Sequence, residues 1–140
     1  MRVELTIEIS RPPQEVFDYL ADLSRLPDWQ GSAIESRADG PLAQGTHISE
    51  RRSFMGRDVD TEVEVAEYDP PRRLTLRALE APIKLTIDHV LEEHGGGTCL
   101  RVTAEGKPTG ALRLAGPAAE AGARRELKRD FQCLKELLEE

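Results

Sequence analysis

Aromatic residues are scarce in this sequence: one Trp, two Tyr and three Phe make up 4% of 140 residues. Few rings are therefore on hand to fill an interior, and each ring would bury roughly 150–250 Å². Cysteine is scarcer still. Cys99 and Cys133 stand far apart, which excludes a disulfide framework or a multi-cysteine zinc site; two reduced thiols are expected. No apolar run approaches the ~18 residues of a membrane-spanning helix. Met1-Arg2-Val3-Glu4 alternates and carries acid, unlike a secretory leader, so a cytoplasmic protein is expected. There is no surplus of cations. The formal net charge is −7, which disfavours nucleic acid as a partner, because backbone binding needs clustered Lys and Arg. His47, His89 and His94 lack metal-ligand spacing and have no cysteine nearby, so no metal is expected. Gly95-Gly96-Gly97 lies between strands and does not lead into a helix, so it reads as a turn and not a phosphate loop. No Ser-His-Asp pattern is readable, and no cofactor is implied.

What is present is a globular composition, 39% apolar and 32% charged, of a length that fits one domain over residues 1–140. Val3, Leu5, Ile7 and Ile9 alternate with Arg2, Glu4, Thr6 and Glu8, the period of a strand with one buried face. Pro12-Pro13 stops it and suits a helix start, with Glu15 near the positive end. Val16, Phe17, Leu20 and Leu23 follow at helical spacing, and a second short helix ends near Pro27. Strands then follow in series: one near Ile34, Thr46 to Met55, a turn at Gly56-Arg57, Val59 to Tyr68, one opening at Leu74 and Leu76, one through Ile83 to Leu91, and one through Leu100 to Ala104. Gly106 to Gly116 reads as looser. From about Pro117 the pattern is helical, with Ala119, Ala123, Leu127, Phe131, Leu134 and Leu138 as one stripe. Strands joined by tight turns imply an antiparallel sheet with the helices to one side.

That order resembles the START-like superfamily (SRPBCC, or helix-grip, fold), which includes the birch-pollen allergen type and the polyketide cyclase/dehydrase type. The resemblance rests on Arg11-Pro12-Pro13-Gln14-Glu15-Val16-Phe17-Asp18-Tyr19-Leu20-Ala21-Asp22 with Leu26-Pro27-Asp28-Trp29, on Glu67-Tyr68-Asp69-Pro70-Pro71-Arg72-Arg73-Leu74, on Gly96-Gly97-Thr98-Cys99-Leu100-Arg101-Val102, and on the closing Leu134-Lys135-Glu136-Leu137-Leu138-Glu139. It implies an α+β fold: a curved antiparallel sheet of about seven strands around a long C-terminal helix, with two short helices after the first strand. It also implies a deep cavity between sheet and helix. The helix stripe makes that plausible, because Ala119 and Ala123 leave space where Leu127 and Phe131 close it. The cavity is therefore expected over the alanine-rich half of the helix.

Alternation names the candidate walls. Thr46, Ile48, Glu50, Arg52 and Phe54 share one face, so an inward Ile48 brings Glu50 and Arg52 with it. Buried charges are costly unless paired, so these two either pair or grip a polar ligand group, or else the register breaks or both sit at a wet mouth. His89 shares a face with Ile83, Leu85, Ile87 and Leu91. It is either a general base or a ligand donor, or a histidine bonded within the core. The resemblance implies that the short helices cap the mouth, so Trp29, after the break at Pro27, either walls it with Tyr19 and Phe17 or is simply core. Val63, Leu76, Leu85, Ile87, Ala119, Ala123 and Leu127 complete the expected ligand-binding set. The mixed run Arg124 to Asp130 reads as a solvated helix face.

Three functions follow. The first is binding of a small hydrophobic molecule of lipid, polyketide or isoprenoid type, by a monomer or homodimer. The second is a polyketide cyclase/aromatase-like enzyme using Glu50, Arg52 and His89 as catalytic candidates, which requires an inward His89. The third is an interaction module of co-chaperone type, which requires an exposed apolar patch.

Overall fold

The structure is a computed structural model that describes residues 1–108, 114 and 116–140. Seven antiparallel strands form one sheet: β1 (Arg2–Ile9), β2 (Ala33–Ala38), β3 (His47–Phe54), β4 (Arg57–Asp69), β5 (Arg73–Glu80), β6 (Ile83–His94) and β7 (Gly97–Pro108). Their spatial order is β1-β7-β6-β5-β4-β3-β2, so every consecutive pair from β2 onward is a hairpin and β1 returns beside β7. Arg2 pairs with Glu105 and Ile9 with Thr98, which sets Val3 and Ile9 into the core.

Glycine fixes two of the turns. Gly95 and Gly96 both have positive φ, the geometry of a tight two-residue hairpin, and Gly97 is already in β7. The β3–β4 turn lies one residue earlier than the sequence suggests. Met55 and Gly56 occupy it, both at positive φ, and Arg57 begins β4. β7 also runs past Gly106. A Cβ on Gly106 would stand 2.0 Å from the Lys84 carbonyl oxygen, so this close strand approach needs glycine.

Helix α1 (Pro13–Ala21) starts on Pro13 with Glu15 in its first turn and buries Val16, Phe17 and Leu20. Asp22 ends it and accepts from the Ser24 amide and hydroxyl at 3.1 and 2.6 Å, which starts a 3-10 turn over Leu23–Arg25. Helix α2 is a single turn, Leu26–Trp29. Pro27 lies in its first turn and does not end it, because the missing N–H is unbonded there in any helix.

Helix α3 (Gly116–Glu139) lies beside β1 and runs in the same direction. Three side chains fix this alignment: Glu120 accepts from the Arg2 amide (3.2 Å), Lys135 donates to the Glu8 carbonyl (2.5 Å), and Glu139 accepts from the Ser10 amide (2.8 Å). Phe131 and Leu134 are its buried apolar residues, while Leu127 and Leu138 of the same stripe are half-buried. Asp130 departs from the expected solvated face. It is 8% exposed and accepts from the Gly31 amide at 3.1 Å, so it joins α3 to the segment after α2. The fold is a helix-grip fold.

Candidate functional site

The space enclosed by this fold lies beneath α1 and α2. Leu20, Ala21, Leu23 and Leu26 roof it, Trp29 and Gln30 close one side, and Leu42 another. The sheet supplies Ile48 and Glu50 from β3, Val63 from β4, Leu74 and Leu76 from β5, and His89 from β6. Its volume is about 30 Å³. A water needs ~10–15 Å³ on such a measure, so the space holds about two waters, against ~300–1,000 Å³ for a ligand pocket.

Six of the residues expected from sequence line this cavity: Trp29, Ile48, Glu50, Val63, Leu76 and His89. Arg52, Leu85, Ile87, Ala119, Ala123 and Leu127 do not, and the cavity is not over the alanine-rich half of α3. The physical reason is that enclosure needs a roof. Ala119, Ala123, Leu85 and Ile87 are half-buried and lie outside the cavity. The leucines of α1 and α2 provide the seal at the other end. Leu20, Leu23 and Leu26 carry apolar spacing in the sequence, but nothing there says which way they face.

His89 points to the inner side, opposite Leu74 on β5 and Val102 on β7. Its Nδ1 donates to the Leu74 carbonyl at 2.9 Å, which leaves Nε2 as the ring's acceptor. Burial pushes its pKa below the ordinary value of 6.5, against the opposing pull of that carbonyl and of Asp88. The unfolded chain therefore takes up a proton near pH 6.5 that the folded chain refuses, and stability falls as pH drops below that value. His89→Asn keeps a donor for Leu74 and does not titrate. Its stability is expected to decline less between about pH 7 and pH 5, measured as urea midpoints against pH; parallel profiles would refute the assignment. Asp130 has the opposite sign at lower pH. Burial raises its pKa despite the Gly31 bond, so its contribution is lost as pH rises through the folded value.

Trp29 and Phe131 meet edge to face at 5.1 Å, and the His89 ring lies 5.8 Å from Phe131. The Trp29 indole N–H is buried without a hydrogen-bond partner among the described residues, and so is the Thr61 hydroxyl. An unmade bond of this kind costs about 1–3 kcal/mol.

Arg52 is held at the rim. Its Nε and one terminal nitrogen donate to the two Glu50 oxygens at 3.1 and 3.0 Å. Its remaining contacts are to the Ser32 hydroxyl at 3.0 Å and the Gln30 side-chain oxygen at 2.7 Å. Ser36 adds a bond to Glu50 at 3.0 Å. The pair is thus a clamp between β3 and the chain that follows α2, and only its Glu50 half reaches the cavity.

Comparison with known proteins agrees with this architecture. The ZhuI aromatase/cyclase of a Streptomyces species superposes with a TM-score of 0.85 at 17% identity, covering 99% of this chain and 93% of that one. TTHA0849 of Thermus thermophilus gives 0.84 at 18% identity, covering 99% and 97%. An uncharacterised protein of Mycobacterium tuberculosis is 26% identical over 125 residues, spanning 87% of this chain and 85% of that protein. Residues 1–139 match the family described as polyketide cyclase / dehydrase and lipid transport. The chain belongs to that family, within the START-like (SRPBCC) superfamily.

Proposed function

We propose that the protein binds a small hydrophobic molecule of lipid, polyketide or isoprenoid type in the cavity under α1 and α2. The observation that carries this reading is the character of the wall: aliphatic over Leu20, Leu26, Ile48, Val63, Leu74 and Leu76, with few polar groups, among them His89 and Glu50. At about 30 Å³ the space is too small for such a ligand, so binding requires the roof to move. That roof consists of a nine-residue helix, a 3-10 turn and a four-residue helix, short elements of the kind that open locally at low cost. The apolar wall also continues beyond the cavity, since Leu76 pairs across the sheet with half-buried Ile87.

Trp29 is the chain's single tryptophan, so its fluorescence reports the cavity directly. Titration with isoprenoid alcohols, fatty alcohols and aromatic polyketides is expected to shift Trp29 emission and raise the melting temperature for at least one class. Unchanged emission across all classes would refute the reading.

A second reading, a cyclase-like enzyme, is favoured by one feature: Glu50 and a neutral, inward His89 line the same cavity. Under it, His89→Asn abolishes turnover of a poly-ketone substrate while Trp29 still reports binding. The interaction-module reading has less support: the large apolar side chains exposed among the described residues are Ile34, Met55 and Leu114.

A further inference from the structure

We propose a second, surface ligand site between β1 and α3 that takes a single-chain anionic amphiphile of the fatty-acid carboxylate class. Leu5, Thr6 and Ile7 on the strand and Arg125, Lys128 and Arg129 on the helix line a groove of about 490 Å³. The groove is open to solvent, so a ligand there is held along one side.

Three features define its chemistry. The floor is apolar, because Leu5 and Ile7 are only half-buried where Val3 and Ile9 on the same strand are buried. The rim is cationic. Arg125, Lys128 and Arg129 fall on one helix face, all are exposed, and none forms an ion pair among the described residues. Arg129 is felt by Asp130, whose carboxylate already accepts from Gly31. This is unlike the sheet surface, where Arg51, Arg73, Arg77 and Arg101 each hold a carboxylate within 3.1 Å. The third feature is backbone. Residues at even positions of β1 turn their N–H and C=O away from β7, and α3 side chains take the Arg2 N–H, the Glu8 C=O and, just past the strand, the Ser10 N–H. Thr6 lies between these covered ends and lines the groove, with no described backbone partner.

An alkyl chain on Leu5 and Ile7 places its carboxylate among the three cations. A flat anionic bilayer fits less well, because the chain carries a net charge of −7 and Glu4 and Glu126 neighbour the lining residues Leu5 and Arg125 in sequence. A single head group responds mainly to charges within about 8 Å at physiological salt.

The test uses the full chain, sub-micellar dodecanoate and amide NMR. Dodecanoate is expected to shift the Thr6 and Gln132 amides. Dodecanol should bind at least about tenfold more weakly, and so should dodecanoate to R125E/K128E/R129E. Added salt should weaken the wild-type complex. Three outcomes overturn the site: shifts confined to Trp29 and His89, equal affinity for dodecanol, or binding only to phosphatidylglycerol vesicles. Binding at the groove is independent of the cavity reading. It is expected to survive His89→Asn and to leave Trp29 emission unchanged, so the two proposals fail separately.

Discussion

Phe131→Ala is expected to destabilise the protein by about 3–5 kcal/mol, the usual cost of truncating a buried ring to alanine. Phe131 is 2% exposed and lies against both Trp29 and His89. Its removal takes away an edge-to-face contact and leaves a void next to two residues that line the cavity. Small domains have only about 5–15 kcal/mol of stability, so the variant is left marginal. Urea unfolding gives the cost, and uptake of benzene or xenon reports the void. A loss below about 1 kcal/mol would mean that the site collapses around the missing ring.

Glu50→Ala should cost about 2–3 kcal/mol. Breaking a fully buried pair from one side costs about 3–5 kcal/mol, but Arg52 keeps 25% of its side-chain surface in water and retains Ser32 and Gln30, so the figure is discounted. Removing both partners should cost less than the sum of the single changes, since no charge is then stranded. The double-mutant cycle measures this. Strict additivity would show that the clamp contributes nothing beyond its separate side chains. Loosening the clamp should also speed ligand entry, because Arg52 ties β3 to the chain that follows the roof, and stopped-flow Trp29 fluorescence would detect that.

The sheet was legible in the sequence because alternation is a local signal. One polar residue between each pair of apolar ones places Val3 and Ile9 inside without knowledge of their partners. The stripe that includes Phe131 and Leu134 likewise marked the buried face of α3. The location of the cavity was not legible. It depends on which end of the helix-covered face carries a roof, and on whether leucines from α1 and α2 fill the space, neither of which periodicity encodes. Arg52 shows the same limit. Alternation put it on the face of Glu50, but a long side chain can leave that face, and Gln30 and Ser32 draw it to the rim. Asp130 was masked by its neighbours: five charged residues between Arg124 and Arg129 read as a wet surface, and the Gly31 amide that donates to it is remote in sequence.

The pairing of β1 with β7 and α3 has a consequence for how the chain is made. Both partners come from the last third of the sequence, with contacts such as Ser10 to Glu139 spanning 129 positions. During synthesis, β1 therefore emerges before both partners and has neither neighbour until residues 97 onward have been translated. Its apolar face and both of its edges stay open throughout, a state that favours wrong pairing between nascent chains and engagement of chaperones. Such long-range closure also raises contact order, so the free chain is expected to fold slowly for its size. Moving β1 to follow α3 by circular permutation would shorten that wait.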